Sequence, residues 1–420
     1  MKSRILRDIK ELESLLRKRK EATEVSITVR EIIEDVKKRG DNALIEYANR
    51  FDNAHFSKPE DFKVSRNDIE TSLEVVGEKF ISAVNRAIEN IREFYLKMPK
   101  LQNWFYIKEG KLSGQMIVPL ESVGIYVPGG KAPYPSTVLM AGIPAQIAGV
   151  ERIVLTTPKP KPEVLAVCNL LELYEVYKLG GAHAIAGLAY GTESIPKVDK
   201  IVGPGNRYVV SAKKYVFGDV GIEMIPGPSE IVVLADDTAE PEFVAIDLLS
   251  QAEHDPLAMS ILITDSERLA NEVEKVLDIM IKELSTYEVA KDSWESWGGI
   301  FIVDSLEEGT DIINLIAPEH LELQVENPWD YLEKIKNAGT IFIGHKTPEA
   351  IGDYISGSSH ILPTGGSARF SSGLSVLDFI KVINITQYNK ITEDFDLASV
   401  IADREGFSAH KKSLKIRQGE

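Results

Sequence analysis

The sequence predicts an α/β protein built on largely parallel sheets, and two observations carry that prediction. Short apolar runs rich in β-branched residues recur at 123–127, 152–156, 200–202, 231–235, 260–264, 300–303 and 340–343, with turn-forming residues behind them, as buried strands do. Helical periodicity lies between them at 163–177, 241–254 and 267–284. Alternation of this kind favours parallel strands joined by helical crossovers. A chain of 420 residues has room for two or three domains with ample core.

Taken from the amino terminus, residues 1–21 place Ile5, Ile9, Leu12, Leu15 and Leu16 at helical spacing among mixed charges, which predicts an amphipathic helix and not a signal peptide. Residues 27–99 read as helical, broken at Gly40 and at 51–62, so a helical layer precedes the first α/β unit near Val123. The mostly apolar stretch 137–150 is interrupted by Pro144 and Gln146 and stops at Glu151 and Arg152. It falls short of the roughly 20 residues that a membrane span needs. The proline-rich segment 157–162 lies between the end of a strand and the start of a helix, so it is a stiff loop, not a linker. Beyond Phe379 the chain turns polar, with Asn384, Gln387 and Asn389, which suggests a small appendage that needs a partner surface for burial.

Charge and cysteine usage exclude several function classes. Lys plus Arg number 48 against 64 Asp plus Glu, a formal charge of -16, which repels phosphate backbones and argues against nucleic acid. Cys168 is the one cysteine, so no internal disulfide exists and a reducing, cytoplasmic setting is expected. Its apolar helical context makes it a packed thiol, with no neighbour to activate it.

Several motifs can carry chemistry. Val127-Pro128-Gly129-Gly130 and Gly203-Pro204-Gly205-Asn206 each follow a strand and precede a helix, where backbone amides can meet a phosphate. Each lacks the third glycine of the usual dinucleotide fingerprint. Gln251 and His254 stand three apart near a helix end closed by Asp255-Pro256, a spacing that suits two ligands of one metal ion or a capped helix end. Pro318-Glu319-His320 sets an acid beside an imidazole, and both can face one pocket only in a turn or at a helix start. There a histidine can take a proton near neutrality and a carboxylate can activate water. Asp353 and His360 flank Gly357-Ser358-Ser359, and Glu405 precedes His410 in the polar tail. His55 and His345 sit in polar, loop-like surroundings typical of surface residues.

Read in order, these segments resemble the histidinol dehydrogenase family over nearly the whole chain. The matching stretches are Gly124-Ile-Tyr-Val-Pro-Gly-Gly130, Gly203-Pro-Gly-Asn206, Pro226-Gly-Pro-Ser-Glu230, Ser250-Gln-Ala-Glu-His-Asp-Pro256, Ala317-Pro-Glu-His-Leu321, Gly352-Asp353 with His360-Ile-Leu-Pro-Thr364, and His410. The resemblance implies oxidation of L-histidinol to L-histidine by way of L-histidinaldehyde, using two NAD. It implies zinc held by Gln251, His254 and Asp353 of one subunit and His410 of its partner, hence a homodimer with composite sites. The metal would anchor the substrate's nitrogens. Ser229, Glu405 and His360 would contact substrate, Tyr126 and Asn206 would contact NAD, and Glu319 and His320 would be the catalytic acid–base pair. The family's nucleotide site usually carries glutamine where this chain has His183; neutral imidazole can also donate and accept a hydrogen bond.

The resemblance further implies two related Rossmann-like parallel-sheet domains with small helical N- and C-terminal additions. The expected division is 1–24 as an amino-terminal helical segment, 25–125 with 229–378 as the main domain carrying zinc and catalytic residues, 126–228 as the nucleotide-side domain, and 379–420 as a dimerisation and site-completing segment. Oxidation of another small alcohol, or water activation by Glu319 in a zinc hydrolase without NAD, are the competing readings.

Overall fold

The computed structural model describes residues 4–22, 28–99, 101–129 and 133–419. Gly130, the last residue of the first glycine turn, lies outside them. The chain forms two units, Met1–Lys97 with Leu120–Phe379, and Met98–Pro119 with Ile380–Glu420.

The first unit holds two parallel sheets. With strands numbered in chain order, the larger runs β1 (Ile5–Leu6), β11 (Gly299–Ile302), β10 (Met259–Thr264), β9 (Glu230–Ala235), β12 (His320–Gln324) and β13 (Thr340–Ile343). The smaller runs β6 (Val176–Tyr177), β5 (Arg152–Thr156), β4 (Ser122–Tyr126), β7 (Lys200–Val202) and β8 (Gly221–Ile222). In each, three successive strands step outward from a central one, and the chain then returns to that strand's other side. The order therefore reverses between β9 and β12 and between β4 and β7, which is where doubly wound sheets open a crevice.

Proline and serine set the starts of the crossover helices. Pro135, Pro162 and Pro241 occupy first helical positions, where the missing N–H costs nothing. Ser266 and Ser305 accept from backbone N–H groups three residues on, satisfying donors that the helix leaves orphaned. Alternate residues of β9 bury on opposite faces, Ile231 and Val233 against the helices Pro241–Ala252 and Glu267–Met280, Val232 and Leu234 against Ile312, Ile313 and Leu12. No helix among the described residues is long and apolar enough to cross a membrane.

Three expectations need correction, and one strand went unpredicted. The helical layer 25–97 does not belong wholly with the larger sheet: Val29, Ile33, Leu44 and Phe62 share the core of the smaller one with Val154, Ile185 and Ile201. Residues 98–119 join the carboxyl-terminal segment. They form the hairpin β2 (Trp104–Lys108) and β3 (Lys111–Pro119), and β14 (Ile380–Tyr388) pairs antiparallel with β3, so that addition is not purely helical. Glu109 and Gly110 both take positive φ, which a two-residue hairpin turn requires. The helix expected over 163–177 stops at Leu170, because Glu172 adopts φ 58 and the apolar residues beyond it continue as β6. Strand β12 escaped prediction since His320, Glu322 and Gln324 interrupt its apolar pattern, yet all five residues are buried.

The smaller sheet is locked at its reversal point by a buried ion pair. Gly203 has φ +114, and a Cβ there would lie 2.1 Å from the Tyr126 carbonyl oxygen, so β7 reaches β4 only with glycine. Lys213 Nζ donates to both Glu223 carboxylate oxygens at 2.6 and 2.7 Å and to the Gly203 carbonyl at 3.1 Å, while the Gly203 N–H donates to Glu223 at 2.8 Å. Neither charged side chain is exposed. Burial pushes the Lys213 ammonium down and Glu223 opposes that. Lys213→Met strands Glu223 without a cation, which should cost about 3–5 kcal/mol, whereas Lys213→Met/Glu223→Leu should recover at least half of it. Denaturant unfolding of the two variants checks this; equal losses would mean that the stranded charge is not the penalty.

Candidate active site

At the amino-terminal edge of β9 and β12, the backbone of one residue, Glu230, holds two side chains. The helix Leu306–Ile316 ends on Ala317 in the left-handed region, Pro318 and Glu319 form a bend, and His320 opens β12. The sequence allowed a turn or a helix start for the pair; instead it straddles a bend at Glu319 and the first residue of a strand, and Pro318 starts no helix. The Glu230 N–H donates to Glu319 Oε2 at 3.0 Å, and the Glu230 carbonyl lies 3.2 Å from His320 Nδ1. Nδ1 is therefore the donor, and once the ring is neutral Nε2 carries the lone pair. His320 Nε2 is buried without a hydrogen-bond partner, with Asp353 Oδ1 at 3.6 Å. Burial raises the Glu319 carboxyl to about 8. Burial also opposes charge on His320, but the carboxylates of Glu319 and Asp353 outweigh it and raise the imidazole to about 10.

Asp353 comes from the short helix Glu349–Tyr354. Burial works against its charge, and His320 nonetheless draws it below the usual carboxylate range; His254 and His360 act on it in the same direction. His360 Nδ1 donates to the Asp353 carbonyl at 3.0 Å, and burial lowers its pKa, so its Nε2 is free in a neutral ring. Gln251 occupies the last turn of the helix Pro241–Ala252, and His254 follows in the turn beyond. The Gln251 Oε1 atom is buried without a partner. Ser229 precedes β9, half-buried, at the same edge.

Sequence reasoning missed Glu349, although Glu349 and Asp353 stand four apart on one helix face. His320, Glu349 and Asp353 present ligand atoms within 4.8 Å of one another. Behind them Gln324 Nε2 donates to Asp247 and Glu322 at 3.0 and 2.7 Å, and the Glu349 N–H donates to Glu322 at 2.7 Å. Burial raises all three of these acids, Asp247 to about 6.

A second group of predicted residues gathers where β4 and β7 end in the smaller sheet. The Tyr126 hydroxyl accepts the Gly181 N–H at 3.2 Å, and burial pushes its pKa up to about 12. Asn206 caps the helix Arg207–Val216, its Oδ1 accepting from Tyr208 and Val209, which leaves its NH2 exposed for a ligand. His183 is different. It is 1% exposed, with Nε2 3.1 Å from Asp52 Oδ2, the oxygen that also accepts the Gly180 N–H at 3.0 Å. Its ring faces the core beside Tyr47 and Phe51.

Glu405 and His410 lie in the second unit, both exposed, around an apolar groove formed with Ile401, Phe407 and Leu414. His410 packs its ring 5.2 Å from that of Phe407. Cys168 is fully buried, and burial pushes its thiol up to about 12, so it is an inert packing residue. His55 is exposed as expected, whereas His345 is half-buried, with its Nε2 3.3 Å from the Thr238 hydroxyl.

The model of the family described as "Histidinol dehydrogenase" matches residues 15–418. A histidinol dehydrogenase of Caldanaerobacter subterraneus subsp. tengcongensis is 49% identical over 407 residues, covering 96% of this chain and 94% of that protein. One from Listeria innocua is 49% identical over 400 residues, covering 94% and 93%. The crystal structure of histidinol dehydrogenase from Elizabethkingia anophelis superposes with a TM-score of 0.90 at 37% identity, covering 100% of this chain and 98% of that one. A chain matched over nearly its whole length by sequence, family model and fold belongs to the histidinol dehydrogenase family.

Proposed function

We propose that this chain oxidises L-histidinol to L-histidine through L-histidinaldehyde, with two NAD and one water, as the last steps of histidine biosynthesis. The observation that carries the reading is His320, whose Nδ1 is taken by the Glu230 carbonyl so that a buried, unpartnered Nε2 is presented toward Asp353, 3.6 Å away. A base of that kind accepts the alcohol proton while the carbinol C–H leaves as hydride. Glu319, with one oxygen held by the Glu230 N–H, takes a proton from the water that adds to the aldehyde carbon. His320 returns its first proton to the aldehyde oxygen as the water adds, and then accepts the hydrate's hydroxyl proton in the second oxidation. No thioester is needed, which suits the inert Cys168 and a cytoplasmic setting.

Bound NAD supplies the hydride acceptor for both oxidations. The exposed Asn206 amide and the Tyr126 hydroxyl support a nucleotide at the β4–β7 reversal. His183, turned inward on Asp52, holds the Gly180-Gly181 turn in place. The donor set also fits a divalent cation: Gln251 Oε1 is a buried oxygen without a partner, Asp353 is a carboxylate kept ionised, and His254 lies within electrostatic reach of it. Zinc held by Gln251, His254, Asp353 and the partner subunit's His410 would fix the substrate's nitrogens. Ser229, His360 and Glu405 complete substrate contact in this reading, and the exposed His410 and Glu405 make a homodimer its natural form.

The direct test is NADH formation from L-histidinol by the zinc-loaded protein, with two NADH expected per histidine. His320→Asn should lower turnover by about 10²–10⁴-fold at either step, and Glu319→Gln should slow aldehyde oxidation more than alcohol oxidation. Equal slowing of both halves by Glu319→Gln would refute the division of labour.

The pH dependence follows from the two raised pKa values. Glu319 acts ionised and His320 acts neutral, so each gains its working form as pH rises. Turnover should climb through about pH 8, where Glu319 ionises, and go on climbing to about pH 10, where His320 loses its proton. A rate independent of pH across that span, measured with saturating substrates, would count against these assignments.

Sharing of sites can be tested by mixing. His254→Asn and His410→Asn should each lower zinc content and activity, while a heterodimer of the two regains one intact site. Verified heterodimers without activity would exclude composite sites.

A further inference from the structure

Arg19 belongs to the helix Ile9–Ala22, a segment whose evident task is to bury Leu12 and Leu15. Its guanidinium does something else. The residue is 4% exposed, and Nε donates to the Leu257 carbonyl at 2.7 Å, Nη2 to the carbonyls of Pro228 and Ser229 at 2.8 and 3.1 Å, and Nη1 to the Glu230 carboxylate. Glu230 Oε1 also accepts the Gly365 N–H at 3.1 Å. The guanidinium thus ties the Ser229–Glu230 corner to Leu257, three residues after His254, and through Glu230 to Gly365, five residues after His360.

We propose that Arg19 is a positioning residue for the oxidation chemistry, acting through Glu230, whose peptide N–H and carbonyl hold Glu319 and His320. This rests on the reading of those two residues as the acid–base pair. Only a planar fork reaches three carbonyls and a carboxylate at once; a lysine ammonium would restore the charge without the geometry. Displacing reacting groups by about 1 Å can cost about 10²-fold in rate. Nucleotide contacts on the smaller sheet, remote from Arg19 along the chain and in the hydrogen-bond network, should be unaffected.

The test compares Arg19→Ala and Arg19→Lys with Glu319→Gln and His320→Asn, each checked for folding and zinc content. Arg19→Ala should lower kcat by about 10²-fold in both oxidations with KM for NAD nearly unchanged, and low-millimolar guanidinium, but not sodium chloride, should restore much of it. Arg19→Lys should be slow and should not respond to guanidinium. If Arg19→Ala does not fold, the lysine variant decides: full kcat in a folded Arg19→Lys protein overturns the proposal, as does loss of kcat in Arg19→Ala with no guanidinium rescue. Should Glu319→Gln and His320→Asn retain full turnover, the acid–base reading itself fails, whereas their collapse beside fully active Arg19 variants sinks only the role of Arg19.

Discussion

Negative charge held away from water is the constraint around which the larger sheet is organised. Glu230, Glu319, Glu322 and Glu349 are all buried, and Asp247 and Asp353 lie close behind. Each ionised carboxylate taken from water costs several kcal/mol unless something compensates. The protein compensates differently at each position. Glu230 is paired with a guanidinium, Asp353 leans on an imidazole, and Glu319, Glu322, Glu349 and Asp247 hold their protons to higher pH. Carboxylates still outnumber the buried cations. That imbalance is what a divalent ion would relieve, and it keeps an imidazole basic in the middle of a core.

Much of this was legible in the sequence, for identifiable reasons. Strands β9 and β10 are apolar along their whole length and bounded by turns, so local pattern and tertiary burial agree. The Gly203 turn and the Gln251–His254 spacing were visible because glycine and histidine are chemically singular. Strand β12 was invisible because Glu322 and Gln324 bond into a network reaching back to Asp247, 77 residues before Gln324, and no local window contains that partner. Arg19 and Glu230 were passed over for the same reason. An arginine on an amphipathic helix reads as solvent-facing, and only the fold reveals that it points inward. His183 shows the converse, since its side chain is spent on Asp52.

The two sheets share a winding pattern and use it in opposite ways. In the smaller sheet the ligand-ready groups stand at the carboxyl ends of β4 and β7, where such topology opens a crevice. In the larger sheet the reactive pair stands at the amino ends of β9 and β12. The carboxyl ends there are tied together instead, the Glu326 N–H donating to Asp236 at 2.8 Å. A repeated topology has thus not repeated a site, because chemistry follows side chains and not strand order.

The nine-residue ladder between β3 and β14 joins Lys111–Pro119 to Ile380–Tyr388, and the larger part of the α/β unit, Leu120–Phe379, is encoded between them. During synthesis the hairpin that includes β3 emerges early and finds no third strand until some 260 further residues have left the ribosome. In the interval its row of unpaired N–H and C=O groups is open to any other extended chain. The small unit is therefore the last to be finished, and with it Glu405 and His410.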